Sequence, residues 1–235
     1  MSEKTDGTIV PDGAFGASVV AQRSGMWGVT DTGDTTGFTG HKETFVVARP
    51  AHRPFGGWFD EVVDIIVELA QADGYREYEV IEKVSIDNGQ LVIFVPRERL
   101  LDVARYVRDD QDLRFEMCLG VSAVHYPMDN GRELHAYFPL FSITHNRVIA
   151  LEVTCPEDDP HMPSLCSVYP GDDWSEREAF DLMGIIFDGH PGLTRSAMPD
   201  DWVGHPQRKD YPLGGIPVEY KGAIVPPPDA RREYN

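Results

Sequence analysis

From residue 58 onward the apolar positions fall into runs with a recognisable period. In Trp58–Ala72, Phe59, Val62, Val63, Ile66, Leu69 and Ala70 recur three and four apart, while Asp60, Glu61, Asp64, Glu68 and Gln71 lie largely elsewhere. That spacing predicts an amphipathic helix, which Gly74 would stop. Two β-rich runs, Tyr78–Ile86 and Leu91–Val95, flank Asp87-Asn88-Gly89-Gln90 and predict a hairpin. Pro96 then opens a second predicted helix, Arg97–Arg108, with Leu100, Leu101, Ala104 and Val107 on one face. Leu113–Tyr126 reads as a strand interrupted at Gly120, and Glu133–Thr144 and Arg147–Thr154 as two strands joined at His145-Asn146. Helices interleaved with antiparallel strands predict an α+β fold. It is a small, mostly antiparallel sheet with helices packed on it, spanning residues 41–155.

The two ends have a different character. Residues 1–40 are rich in Gly, Thr, Asp and Ser, with Met26, Trp27 and Phe38 as the large apolar exceptions. So little apolar surface does not offset ordering entropy, and an extended or disordered arm is expected. After Cys155 the chain turns polar and Pro-rich. Asp172, Asp173 and Ser175 favour a helix start, Ser175 with Glu178 fits a capping box, and Gly184 is placed to end the helix. Arg177 and Asp181, four apart, are expected to pair, with Phe180 and Met183 turned to the core. Beyond Gly184, Pro191, Pro199, Pro206, Pro212 and Pro217 rule out a long helix, and Gly-His-Pro occurs at both 189–191 and 204–206. The expected reading of 156–213 is one helix followed by an extended, proline-rich arm, too broken to bury itself and suited to lying along another protein. Residues 214–235, with Pro226, Pro227 and Pro228, read as an extended tail.

Charge narrows the function classes. Lys plus Arg number 21 against 39 Asp plus Glu, a formal charge of −18 over 235 residues. Nucleic acid and anionic lipid both demand the opposite balance. No apolar run approaches the roughly 18 residues that a membrane span needs. The first residues carry no basic-then-apolar leader, so a cytoplasmic protein is expected. Cys118, Cys155 and Cys166 are widely spaced without a Cys-x-x-Cys pair, which predicts reduced, mostly buried thiols and no private zinc or iron–sulfur site. His190, His205 and Asp200 or Asp201 are residue types that could bind a metal or move protons. They form the alternative reading, a free-standing metal-dependent enzyme. No His-x-x-x-His pair, nucleophile elbow or phosphate-cradling loop accompanies them.

Trp174–Leu213 resembles a known family. Glu176-Arg177-Glu178, Asp181-Leu182-Met183-Gly184-Ile185, Phe187 and Gly189-His190-Pro191 match at fixed spacing, as do Gly204-His205-Pro206 and Arg208-Lys209-Asp210-Tyr211-Pro212-Leu213. The pattern is similar to that of the 30 kDa (NuoC) component of the proton-pumping NADH:quinone oxidoreductase, respiratory complex I. Weaker similarity of layout reaches back to about Pro96. Thr194, Ser196, Ala197 and Gln207 depart from the family's usual basic, aliphatic, aliphatic and Leu residues, which puts a local contact there in question.

The resemblance implies a structural member of the peripheral arm, on the cytoplasmic face of the cell membrane and touching the membrane only through the complex. It implies no cofactor in this chain: FMN, iron–sulfur clusters, NADH and a quinone would be held by other subunits. The implied partners are the quinone-binding (D) component of the complex and its neighbouring B and I components. The expected partner interface is Glu176, Arg177, Glu178, Asp181, His190, Arg195 and Asp200. It continues with Asp201, Trp202, His205, Arg208, Lys209, Asp210 and Tyr211. No residue of the chain is expected to be catalytic.

Overall fold

The computed structural model describes residues 17–24, 42–211, 218–220 and 222–225. In chain order the elements are β1 (Ala17–Ser24), β2 (Lys42–Ala48), α1 (Phe59–Ala72), α2 (Glu77–Val80), β3 (Lys83–Asp87), β4 (Gln90–Phe94), α3 (Leu100–Asp109), β5 (Met117–Cys118), β6 (Ser122–His125), β7 (Leu134–Ser142), β8 (Arg147–Cys155), β9 (His161–Pro163), α4 (Asp173–Met183), β10 (Ile186–Asp188), β11 (Val218–Tyr220) and β12 (Ala223–Val225). Six strands make the main sheet in the order β3-β4-β8-β7-β5, with β6 also paired to β7. Every neighbouring pair in it is antiparallel except β4 with β8.

Period-two alternation gives this sheet two unlike faces. Leu91 and Ile93 of β4, Ala136 and Phe138 of β7, and Ile149 and Leu151 of β8 point into the main core. There they meet Val62, Val63 and Ile66 of α1 and Leu100, Val103 and Val107 of α3. The intervening Val92, Phe94 and Ala150 form a second cluster on the opposite face, joined by Ala48 and Tyr137. One face is therefore roofed by helices. Among the described residues, no helical side chain packs into the cluster on the other.

The Asn88-Gly89 turn between β3 and β4 has φ of 48° and 77°, the left-handed pair that an Asn-Gly hairpin supplies at least strain. One element here differs from expectation. The predicted strand over Tyr78–Ile86 begins only at Lys83, where pairing with Phe94 starts. Before it, Glu77–Val80 winds into a helical turn, its entry fixed by the Glu79 carboxylate accepting the Arg76 N–H at 2.8 Å. The interruption expected at Gly120 within Leu113–Tyr126 is present: that residue, with φ of 113°, separates β5 from β6. Within the arm expected to be extended or disordered, Ala17–Ser24 pairs antiparallel with Lys42–Ala48. Met26, Trp27, Phe38 and the Pro226–Pro228 run lie outside the described residues.

The segment after α4 also differs. It returns to the body: β10 pairs parallel with β9, and Ile185 and Phe187 are buried in the main core. Its prolines punctuate turns rather than forbid packing, and Gly189 and Gly204, both with φ of 85°, take the turns that precede the two His-Pro pairs. Among the described residues no helix is long and apolar enough to cross a membrane.

Candidate interaction site

The most concentrated polar geometry lies between α4 and the loop that follows it. Helix α4 packs against β6 through Ala179 and Met183, both buried, with Phe180 half-buried beside the core. Two acids on the helix are turned fully inward. Glu176 accepts the Ser164 hydroxyl and the Leu165 N–H, each at 2.6 Å, and so ties α4 to the segment before it. Burial pushes its carboxyl up despite those donors.

Asp181 does the same for the segment after the helix. Its Oδ2 accepts the N–H groups of Ser196, Ala197 and Met198 at 3.0, 2.7 and 2.8 Å, and its Oδ1 accepts Arg195 Nη1 at 2.5 Å. Burial alone would raise this carboxyl. The Met198 N–H, the Arg195 guanidinium and the other two amides outweigh it and hold the group below the usual carboxylate range. Arg195 then bridges outward, its Nη2 donating to the carbonyls of Trp202 and Gly204 at 2.8 and 3.1 Å. A buried acid and one arginine thus fold residues 195–204 into a fixed shape.

The C-terminus of α4 is closed by the same loop. Gly184, with φ of 82°, ends the helix. His205 Nδ1 donates to the Asp181 carbonyl at 3.0 Å, and the Gln207 N–H donates to the Leu182 carbonyl at 3.0 Å, serving acceptors a helix end leaves without partners. The His205 ring lies so close to Gly184 that a Cβ there would sit 2.6 Å from it. Tyr211 similarly fills the space beside Gly204, where a Cβ would be 2.8 Å away.

The expected interface residues therefore separate. Glu176 and Asp181 are interior and hold the fold, so they cannot face a partner. The expected Arg177–Asp181 pair is not formed. Arg177 lies over the Trp174 ring at 4.3 Å and donates to the Thr194 and Arg195 carbonyls, because Asp181 is turned the other way. Ser175 does not cap the helix: its hydroxyl donates to the Asp172 carbonyl. Asp172, at the cap position, is fully buried with neither carboxyl oxygen hydrogen-bonded within normal reach. Burial pushes it up, and the Cys118 thiol beside it lowers it only in part. Arg195, Trp202, His205, Arg208 and Tyr211 are half-buried within the loop, while Glu178, Asp200, Asp201, Lys209 and Asp210 are exposed. Within residues 173–211, two large apolar side chains outside the expected set stand out into solvent, Trp174 at 67% and Val203 at 86% exposure. Hydrophobicity at a loop tip and at a helix start was the available signal for them.

The metal-enzyme reading loses its ligand set. His190 Nδ1 accepts the Gly192 N–H and its Nε2 donates to the Asp173 carbonyl, while His205 is spent on Asp181 and Asp200 and Asp201 point to solvent. Among the described residues, two other groups of potential ligands converge, Cys166–Glu176–His190 and His125–Glu157–Asp210. In the first, the atoms are already hydrogen-bonded to Ser164, Leu165, Asp173 and Gly192. In the second, Arg208 stands 2.8 Å from Glu157 as the counter-charge, and His125 Nδ1 accepts the Lys209 N–H at 2.9 Å. The three cysteines are free thiols, Cys155 buried and the other two partly so.

The chain has relatives among known proteins. The family described as respiratory-chain NADH dehydrogenase, 30 Kd subunit, matches residues 93–217. The C subunit of the NADH-quinone oxidoreductase of Mycobacterium marinum is 57% identical over 95% of this chain and 94% of its own length. Its counterpart in Mycolicibacterium gilvum is 58% identical over 96% of this chain and 99% of its own length. Among solved structures, a trypsin-resistant fragment of Nqo5 aligns with a TM-score of 0.45 and 25% identity, over 56% of this chain and 99% of the fragment.

Proposed function

We propose, from the premise that the chain belongs to the respiratory-chain NADH dehydrogenase 30 Kd subunit family, that it is a non-catalytic structural member of an NADH–quinone oxidoreductase. It sits in the peripheral arm on the cytoplasmic face of the membrane. There it supports electron transfer from NADH to quinone that is coupled to proton translocation, the flavin and iron–sulfur clusters being carried by other subunits. Helix α4 and the loop it anchors dock on the quinone-binding (D) component, with the B and I components nearby.

The observation that carries the reading is how the signature spends its polar groups. Asp181, Arg195 and His205 are consumed in shaping the loop, which leaves Trp174 and Val203 outermost with Arg177, Glu178, Asp200 and Asp201 around them. A Trp stacked under an Arg at an exposed helix start gains little for this chain alone. At an interface, Trp and Arg are among the residue types enriched where binding energy concentrates. The positions that depart from the family pattern support the same view. Thr194, Ser196, Ala197 and Gln207 contribute main-chain atoms to the loop's hydrogen bonds, so their side chains are free to vary.

The test is recovery of the tagged chain from native membranes. It should bring down the quinone-binding subunit in stoichiometric amount, and Trp174→Ala should weaken that association by roughly 30-fold, the scale of a 2 kcal/mol interface residue. The melting temperature of the free chain should stay as it was. A soluble, stoichiometric monomer as the sole product would refute the reading, and full assembly of Trp174→Ala would remove the proposed contact.

A further inference from the structure

On the face of the main sheet where, among the described residues, no helical side chain packs, there is a groove of about 470 Å³. Its floor is Val92, Val124 and Tyr137, on alternate positions of β4, β6 and β7, and Val46 of β2 forms one wall. A second hollow of about 640 Å³ shares Val46, Val124 and Tyr126 with it, so the trench continues toward Asp129 and Asp210. Crossing from β3 over β4, β8 and β7 to β6 takes four inter-strand steps of about 4.8 Å, roughly 19 Å, or about six residues of extended chain.

Three features say what would lie there. The floor is apolar, which suits aliphatic side chains. Ser85 is 1% exposed, yet its hydroxyl has no hydrogen-bond partner and the residue lines the groove, so a polar group is held ready for an occupant's main chain. The charge left open on the rim is that of Asp87, which is exposed with no ion pair among the described residues; Glu152 is held by His135 at 2.5 Å and feels the charge of Lys83, which lies over Phe94 and donates to the Ala48 carbonyl. A second copy of this chain would bring another formal charge of −18 to that rim, which disfavours a homodimer.

We infer that this groove receives an extended segment of a neighbouring subunit, apolar along its middle, with a Lys or Arg side chain set toward Asp87. The identity of that neighbour rests on the proposed function. The floor of the groove lies across β6 from α4, and only its far end reaches Lys209 and Asp210 of the loop, so the chain would hold its assembly by two surfaces, one on each side of β6.

The experiment places a short cysteine-directed photocrosslinker on Gln90→Cys within the complex isolated from membranes, and reads the linked peptide by mass spectrometry. The expected product joins β4 to a segment of another subunit that carries Lys or Arg among aliphatic residues. Adding Asp87→Lys should cut its yield at least about fivefold, as reversal of a desolvated charge contact does. A peptide from this same chain, from a second copy, or no crosslink in an otherwise intact complex would overturn the inference and leave the proposed function standing. A chain that does not travel with the complex at all would overturn both. Crosslinking to another subunit at a yield indifferent to Asp87→Lys would overturn the charged contact.

Discussion

Replacing Asp181 by Asn tests the central claim that this carboxylate, rather than a partner, shapes the loop. The two oxygens do different work: Oδ2 accepts three amide N–H groups and Oδ1 accepts the Arg195 guanidinium. An Asn amide supplies one oxygen, so in either orientation its NH₂ faces donors, and Arg195 is left half-buried without its counter-charge. Removing one member of a buried pair costs about 3–5 kcal/mol, and that range is the expected loss in urea unfolding of the free chain.

The pH dependence is a second, independent reading. The folded-state value of Asp181 lies below the unfolded one, so its contribution is complete above the unfolded value, near 3.9, and is lost as pH falls through the folded value. The stability gap between the native chain and Asp181→Asn should therefore be constant from about pH 5 to 8 and close as pH drops below about 4. A double-mutant cycle with Arg195→Met should show strong coupling, since the second substitution removes the orphaned charge. A gap under about 1 kcal/mol at neutral pH, or one that does not narrow on acidification, would refute the account.

Other substitutions probe separate parts of the same geometry. Asp172 carries the opposite sign: its folded-state value is raised, so its relative advantage exists below the unfolded value and is lost as pH rises through the folded one. Asp172→Asn should therefore be more stable than the native chain at pH 7, on the order of 1 kcal/mol, with the gain vanishing near pH 4; a loss at pH 7 would contradict this. Gly184→Ala meets both a φ of 82° and the His205 ring, and should cost about 2 kcal/mol or more by thermal unfolding, with the His205 ring resonances shifted. The thiols should label slowly with maleimide at pH 8 in the folded chain, because burial pushes Cys166 up to about 11 and Cys155 up to about 12. Rapid labelling before unfolding would show those environments to be wrong.

Several elements were legible one residue at a time. The stripe of α1, the Asn88-Gly89 hairpin and the alternation of β7 and β8 arise from side-chain period and backbone preference, both local properties. The family signature was also readable, because its spacing is written in one continuous stretch. What the residues around Asp181 do was not. Read along the chain, Arg177 and Asp181 look like a surface pair and the prolines look like an obstacle to packing. In the folded chain, Asp181 takes Arg195 from 14 residues away and three amides from beyond it, while Glu176 takes Ser164 from 12 residues before. Pattern along a helix gives the direction of a side chain only when the position of everything else is known. A carboxylate chooses its partners by which donors the tertiary fold has withdrawn from water. The sequence by itself determined α1, the β3–β4 hairpin, β7 and β8, the acidic balance and the family. The tertiary structure decided which charges became interior supports and which face of the sheet the helices roof.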